Sequence, residues 1–237
     1  MTKLNTTVKA VLFDVDDTLY DLADPFKKAY LDLFPEKERM PLDGLFTASR
    51  KYSDQVFDKS QSGEMSMEEM YRYRIQHAFA DFHEQISDED AMEFQNHYVE
   101  YQGKIRLSAT IQEVLVYCAS KWRTGIITNG PSGHQWDKIR VLGLEQYIPK
   151  EHIFVSGDLG ISKPGKEIFW YAAAHLGLSP EEVCFVGDSF QNDAAGAKNA
   201  GMYSVWFNHR GYACPSGICP DAEVRTEQEL YEWLKSF

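Results

Sequence analysis

The sequence is poor in cysteine, in long apolar runs and in positive charge, and each shortage excludes a class of protein. Four cysteines among 237 residues are too few and too scattered for the disulfide framework of a small secreted domain. No apolar stretch approaches the roughly 20 residues that a transmembrane helix needs, and Met1 to Lys9 contains no apolar run like that of a signal peptide. We therefore expect a cytoplasmic protein that does not enter a membrane.

Basic residues are outnumbered by acidic ones, 24 to 36, which gives a formal net charge of −12. A nucleic-acid-binding protein carries a basic patch or stripe, so this balance argues against a nucleic acid polymer as partner. The hydrophobic fraction of 43% is sufficient for the packed core of one large or two small domains.

The four cysteines also offer little to a metal. Cys118 and Cys184 lie in apolar helix and strand patterns and are expected in the core. Cys214 and Cys219, with His209 nearby, have a C-x₄-C spacing but no second ligand pair. A plain loop is therefore favoured over a zinc site.

Two carboxylates directly follow the first apolar run of the chain. The run from Val8 to Phe13 is typical of a buried strand, and Asp14 and Asp16 come next. Open α/β sheets place their chemistry at the carboxyl ends of strands, and alternation along an extended chain points these two side chains the same way. Two close carboxylates attract a divalent cation, and Mg²⁺ favours one or two of them together with substrate phosphate. An isolated pair of this kind is equally typical of an acidic turn.

Three further polar motifs accompany the first. In chain order they are Thr128-Asn129-Gly130, Lys163-Pro164 and the loop from Asp188 to Asp193. The first and last follow apolar runs, and helical segments separate the runs, as in βαβ units. Since parallel strands end at one edge of a sheet, the sequence predicts an α/β fold with a Rossmann-like parallel sheet on which the motifs converge.

These four motifs in this order resemble those of the haloacid dehalogenase superfamily of hydrolases, over a span from Val8 to about Phe207. The resemblance implies that Asp14 is the catalytic nucleophile and Asp16 the general acid and base. It also implies that Thr128 and Lys163 take part in catalysis.

The resemblance further implies two binding roles. The substrate phosphoryl group would be bound by Thr128, Asn129, Gly130 and Lys163. A Mg²⁺ ion would be bound by Asp14, Asp16 through its backbone carbonyl, Asp188 and Asp193. Whether Asp193 binds the metal directly or through water stays open.

The implied reaction places a demand on Asp16. An Asp14 carboxylate would attack phosphorus and form an aspartyl-phosphate, which water then cleaves. Asp16 would first protonate the leaving oxygen and then deprotonate the water. An ordinary aspartate titrates near 3.9, so we predict that burial and neighbouring carboxylates raise the pKa of Asp16.

Between Leu22 and Lys104 the pattern changes to successive helices with aromatic stripes, such as Phe26, Tyr30 and Phe34 at intervals of four. It predicts a four-helix bundle, and the resemblance implies that residues 22–104 form a helical cap domain on a catalytic core of residues 1–21 and 105–237. Most basic residues of the cap are expected on solvated helix faces, and the sequence does not show which of them meet a ligand. They include Lys27, Lys28, Arg39, Arg50, Lys59, Arg72 and Arg74.

Beyond the cap, Ile153 to Val155 is predicted as a short strand and Ser204 to Phe207 as the last strand of the core. Capping-box patterns, which place a Ser or Thr three residues before a Glu, predict helices that start after Ser66 and after Thr226.

The resemblance indicates a Mg²⁺-dependent phosphatase of small phosphorylated metabolites, with sugar phosphates and nucleotides among the candidates, acting as a monomer or homodimer. A 2-haloacid dehalogenase, a phosphonatase or a sugar phosphomutase are alternatives within the superfamily. Asp16 favours a phosphate ester, because halide leaves without a proton. A phospho-accepting receiver domain would lack the second aspartate and the helical insertion, and a non-enzymatic interaction protein would not need every motif intact.

Overall fold

The computed structural model describes residues 8–35, 40–215 and 217–236, without the side chain of Gln61. The chain divides after Asp21 and after Ile105 into two compact units. We call residues 22–105 the helical unit and the remainder the α/β unit. Residues 1–7 and Arg39, which the sequence analysis considered, lie outside the described residues.

A six-stranded sheet forms the centre of the α/β unit. Its strands pair in the order β3-β2-β1-β4-β5-β6, and every pairing is parallel. The strands are β1 (Ala10–Phe13), β2 (Arg123–Thr128), β3 (Ile153–Val155), β4 (Val183–Gly187), β5 (Tyr203–Phe207) and β6 (Ala222–Val224). This confirms the predicted α/β fold with a parallel sheet.

Strand β1 is the innermost element of the sheet. Its four residues, Ala10 to Phe13, are fully buried, as expected of a parallel strand covered on both faces. It pairs with β2 on one side and β4 on the other. The carboxyl ends of these three strands therefore lie side by side, where the sequence places Asp14, Thr128 and Asp188.

The prediction that Ser204–Phe207 is the last core strand is wrong. Strand β6, Ala222–Val224, adds to the sheet beside β5. It has only three residues, and of these only Val224 is buried, so it leaves no apolar run in the sequence. The strands predicted at Ile153–Val155 and Ser204–Phe207 are themselves present, the second as Tyr203–Phe207.

The described residues of the α/β unit form six α-helices. They are α5 (Ala109–Lys121), α6 (Ser132–Val141), α7 (Ser156–Leu159), α8 (Lys166–His175), α9 (Gly196–Ala200) and α10 (Glu227–Lys235). Residues of α8, including Phe169 and Ala172, pack with Leu12 and Phe185 of the sheet in one buried cluster. No helix among the described residues combines the length and the apolar character required to cross a membrane.

The helical unit contains α1 (Ala23–Leu33), α2 (Leu42–Ser62), α3 (Met67–Ala80) and α4 (Asp88–Gln102). Its core is aromatic: the ring of Phe26 makes edge contacts with Phe46, Phe94 and Tyr98 at centroid distances of 5.5, 4.9 and 5.8 Å. Helix α3 starts at the predicted capping box, in which Ser66 and Glu69 cap each other's backbone N–H groups.

Candidate active site

Asp14 lies directly after β1, in the first position beyond the strand. Its backbone N–H donates to the Val186 carbonyl at 2.9 Å, which continues the pairing of β1 with β4. Its carboxylate is buried and accepts a hydrogen bond from Lys163 Nζ at 2.6 Å. The same ammonium group donates to Asp193 Oδ1 at 2.6 Å, so one lysine bridges two carboxylates from different strands.

The loop after β4 brings in Asp188 and Asp193. The Ser189 N–H donates to Asp193 Oδ2 at 2.9 Å, and a π-helical turn, Phe190–Ala195, turns Asp193 inward. The Asp188 N–H donates to Thr18 Oγ1 at 3.0 Å, which ties this loop to the loop after β1. Gly187 is required here, because a Cβ atom would lie 2.4 Å from the Asp193 Cγ atom.

Asp14, Asp188 and Asp193 each offer a carboxylate oxygen, and these oxygens lie within 4.8 Å of one another. With all three carboxylates ionised and Lys163 protonated, these four side chains carry a net charge of −2. Oxygen ligands with that net charge fit a divalent cation such as Mg²⁺. Among the described residues this is the one group of three or more His, Cys, Asp or Glu side chains with that spacing, and Cys214 and Cys219 are exposed and free.

Burial acts in opposite directions on the pKa values of Asp14 and Lys163. Burial raises the pKa of Asp14 to about 7, with Asp193 and Asp16 acting in the same direction and Lys163 opposing it. Burial alone would lower the pKa of Lys163, but the two carboxylates raise it above its usual range. Lys163 is therefore a permanent cation, and an added positive charge would be needed to keep Asp14 ionised near neutral pH.

The Thr128-Asn129-Gly130 motif lies at the end of β2, beside β1. The Asn129 side chain exchanges two hydrogen bonds with the Lys163 backbone, at 2.8 and 3.0 Å, which holds the second and third motifs together. Thr128 Oγ1 donates to Gln135 Oε1 at 3.2 Å. The Gly130 N–H donates to Ser156 Oγ at 2.9 Å.

Asp16 does not join the three metal-compatible carboxylates through its side chain. Its two oxygens instead accept hydrogen bonds from Lys138 Nζ at 2.7 and 2.6 Å, from Tyr20 at 2.6 Å and from Gln135 Nε2 at 3.1 Å. Burial would raise the pKa of Asp16, but the charge of Lys138 and the hydrogen bonds from Lys138, Tyr20 and Gln135 together hold that pKa below its usual range. The predicted raised pKa of Asp16 is therefore wrong for this arrangement.

Sequence reasoning missed Lys138 and Gln135. Both are buried on α6, one turn apart, and both reach Asp16. Helix α6 follows the Thr128 motif directly. Gln135 and Lys138 are three residues apart and so lie on one face of this helix, and two polar residues on a face that covers the sheet were the signal that could have indicated their role. Gln135 contacts both Thr128 and Asp16 and thereby links two motifs.

Asp17 was also missed, together with its partner. Its backbone is left-handed, with φ of 61°, a conformation that suits glycine or a short polar residue. Arg210 donates two hydrogen bonds to the Asp17 carboxylate at 2.5 Å and a third to Asp21 at 2.6 Å. His209 Nε2 lies 3.3 Å from Asp17 Oδ2. Burial alone would raise the pKa of Asp17, but the contacts with His209 and Arg210 lower it to about 2.

The site is therefore assembled from the loops after β1, β2 and β4 and from Lys163, in the α/β unit alone. A family model of haloacid dehalogenase-like hydrolases matches residues 8–201. The chain belongs to this family. The match covers all four motifs and confirms the resemblance on which the site residues were chosen.

Three relatives illustrate the family around this chain. The HAD-hydrolase YfnB of Bacillus subtilis is 28% identical over 233 residues, which cover 95% of each chain. Its magnesium-bound crystal structure matches this structure with a TM-score of 0.73 at 26% identity, covering 97% of this chain and 99% of that one.

The other two relatives match over shorter segments. The glyceraldehyde 3-phosphate phosphatase of Pyrococcus furiosus is 42% identical over 92 residues, which span 39% of this chain and 38% of that protein. The pyrimidine 5'-nucleotidase YjjG of Escherichia coli is 36% identical over 114 residues, which span 47% and 49%. Each of these two matches therefore spans less than half of the relative's own length.

Proposed function

We propose that this hydrolase is a Mg²⁺-dependent phosphatase that cleaves phosphate monoesters of small metabolites through an aspartyl-phosphate on Asp14. The observation that carries the proposal is the convergence of Asp14, Asp188 and Asp193 around Lys163 at the strand ends. This arrangement suits a dianionic phosphoryl group, because a nucleophile and a cation site lie together. The names of two relatives, a sugar phosphate phosphatase and a nucleotidase, support the same substrate class.

The first half of the reaction uses Asp14 as nucleophile. Lys163 holds Oδ1 of Asp14, so we assign the attack on phosphorus to Oδ2. A new bond forms between this oxygen and phosphorus as the ester bond breaks, and the leaving oxygen takes a proton. Lys163, a permanent cation, stabilises the added charge. A bound Mg²⁺ would be held by Asp14, Asp188 and Asp193 and would neutralise the phosphoryl oxygens.

The second half releases phosphate. Water attacks the phosphorus of the aspartyl-phosphate, its proton moves to a base, and the Asp14 carboxylate is restored. Asp16 is suited to be that base, since Lys138 keeps it ionised. To protonate the leaving oxygen in the first half, Asp16 must first separate from Lys138 and take up a proton from solvent. We propose that this ion pair opens when substrate binds.

The remaining motif residues would position the phosphoryl group. Thr128 ends β2, and Asn129 and Gly130 follow it in the loop before α6. We assign the Thr128 hydroxyl and the Asn129 N–H as donors to the phosphoryl oxygens, while Gly130, whose N–H donates to Ser156 Oγ, would contact the group through its position in the loop. Asn129 also fixes the Lys163 backbone. Its replacement is expected to displace the Lys163 ammonium from Asp14.

We also propose that the helical unit acts as a cap that selects the leaving group, and that the enzyme works in the cytoplasm as a monomer or homodimer. The described cysteines are all free, which is typical of a reducing compartment. Neither a membrane nor a nucleic acid polymer is proposed as a partner.

The test is hydrolysis of a panel of phosphorylated sugars, nucleotides and organic acids by the full-length chain with Mg²⁺. We expect at least one member to be hydrolysed, and Asp14→Asn to lower kcat by at least about 10³-fold, since the nucleophile is lost. Asp137→Asn is the matched control: among the described residues the Asp137 side chain is 66% exposed and pairs with Arg140, three residues on, so the activity of this variant should equal that of the wild type. Full turnover by Asp14→Asn, or after chelation of all divalent metal, would contradict the proposal.

A further inference from the structure

Arg74, on α3 of the helical unit, is a buried cation. Its side chain is 9% exposed, and it donates a hydrogen bond to Gln95 Oε1 on α4 at 2.5 Å. Two tyrosine rings flank the guanidinium, with Tyr71 and Tyr98 centroids 5.3 and 5.6 Å from the Arg74 Cζ atom. No carboxylate of the described residues lies within ion-pairing distance of it. The three side chains that contact the Arg74 guanidinium here are therefore all neutral.

A second positive charge makes this environment more unfavourable for Arg74. Burial lowers the pKa of the Arg74 guanidinium, and the nearby charge of Arg50, on α2, lowers it further. The two tyrosines act in the opposite direction, but a neutral ring attracts a cation through its quadrupole and carries no net negative charge. A buried cation without a countercharge is costly, and here a like charge increases that cost.

The neighbouring arginine on the same helix shows the ordinary arrangement. Arg72 is 29% exposed and pairs with Glu68 at 2.7 Å, one turn earlier. The chain as a whole carries a formal charge of −12, so acidic side chains are abundant. Their absence around Arg74, among the described residues, leaves the position of the countercharge open to a ligand.

We propose that Arg74, with Gln95, Tyr71 and Tyr98, forms a binding site in the helical unit for a small oxyanion, a carboxylate or a phosphate group. Arginine presents five N–H donors in a planar fork that matches two oxygens of such a group, and one of the five is used by Gln95. The rings of Tyr71 and Tyr98 lie beside the fork, at 5.3 and 5.6 Å from Cζ. This site goes beyond the proposed phosphatase activity and does not depend on it.

The test measures anion binding by the full-length chain with divalent metal chelated. Under that condition the carboxylates around Lys163 keep a net negative charge even when Asp14 is protonated, so this site repels anions and binding there does not contribute. Sulfate is the phosphate-like probe and malonate the carboxylate probe, each titrated against sodium chloride of equal ionic strength. We expect at least one probe to raise the Tm of the wild type saturably, because a ligand that binds only the folded state stabilises it.

Three variants complete the test. Arg74→Met should keep its fold and its anion-free Tm but lose at least tenfold in affinity, and Arg74→Lys, which keeps the charge without the planar fork, should bind at an intermediate affinity. Arg72→Met is the matched control and should bind as the wild type does. The proposal is overturned if neither probe raises the wild-type Tm beyond sodium chloride, or if Arg74→Met responds like the wild type.

The source of the anion is decided by a separate measurement with Mg²⁺ present. If the bound probe inhibits the hydrolase competitively, and Arg74→Met removes that inhibition, the anion that binds at Arg74 is a group of the substrate. If the probe binds without inhibiting, the anion belongs to a separate effector. Absence of any hydrolase activity would count against the proposed function alone, because the chelated binding assay does not require turnover.

Discussion

The α/β unit and the helical unit treat buried positive charge differently. In the α/β unit, Lys163 bridges Asp14 and Asp193, and Lys138 is paired with Asp16. In the helical unit, Arg74 is buried against an amide and two rings. The difference teaches that burial alone does not identify a functional cation. A compensated cation can organise a site, whereas an uncompensated one indicates that a ligand supplies the missing charge.

The largest effect is expected from Lys163→Met. The change leaves Asp14 and Asp193 buried without their shared cation, and removing one partner of a buried pair costs about 3–5 kcal/mol. We expect a loss of this size in the free energy of unfolding, measured by urea titration in a chelator. Added Mg²⁺ should restore part of it, because the ion replaces the missing positive charge.

Lys198→Met is the control for this experiment. Lys198 also pairs with an aspartate of the α/β unit, Asp221, at 2.5 Å, but its side chain is 39% exposed. Exposed ion pairs contribute about 0–1 kcal/mol to stability, so the free energy of unfolding of this variant should remain close to that of the wild type. Equal losses in the two variants would show that burial of the Lys163 pair has no special energetic weight.

A smaller loss is expected from Lys138→Met, about 3 kcal/mol at pH 7, since Asp16 is 19% exposed and can gain some hydration. In the wild type the pKa of Asp16 is lowered, so its ion pair stabilises the fold above about pH 4 and loses that effect as the pH falls further. In the variant, burial raises the pKa of Asp16, and protonation relieves the penalty as the pH falls.

The difference in unfolding free energy between wild type and Lys138→Met should therefore be smaller at pH 5 than at pH 7. The double variant Asp16→Asn/Lys138→Met removes both charges and should recover much of the stability at pH 7. A difference that stays constant with pH, or a double variant no more stable than Lys138→Met, would show that the loss comes from packing and not from charge.

The fold could be predicted from the sequence to the extent that its elements carry a local pattern. Strand β1 is a continuous apolar run followed by carboxylates, and the capping box at Ser66 marks the start of α3. Strand β6 has three residues and buries only Val224, so its pairing with β5 depends on tertiary contact. A local pattern of period two needs more residues than β6 contains.

The candidate site could be predicted in part for the same reason. Asp14 and Asp188 each follow a strand and Thr128 ends one, and parallel strands bring their ends together. Lys138 could not be assigned, because its pairing with Asp16 spans 122 residues of sequence and depends on which face of α6 covers the sheet edge. The prediction of a raised pKa for Asp16 was wrong for the same reason, because the charge nearest to Asp16 is that of Lys138, which lies outside the four motifs.

Arg210→Met is expected to lower the free energy of unfolding by less than Lys138→Met does, about 2 kcal/mol, because Asp17 keeps His209 as a second partner. Arg210 holds the left-handed Asp17, so kcat should fall as well when this loop loosens. The lowered pKa of Asp17, about 2, means that the stabilisation is present above about pH 4 and disappears toward pH 2. Arg225→Met, at a 62% exposed residue paired with Glu223, is the control and should change neither quantity.

The smallest effect is expected from Arg74→Met, which should change the free energy of unfolding by no more than about 1 kcal/mol in anion-free buffer. The variant loses the hydrogen bond to Gln95 but also loses a buried charge whose desolvation is uncompensated, and these terms oppose each other. Urea titration beside Lys163→Met makes the comparison direct, because the same substitution is made at two buried cations. A loss of about 3 kcal/mol or more at Arg74 would mean that Gln95 and the two tyrosines compensate the guanidinium as fully as carboxylates do, and the contrast between the two units would fail.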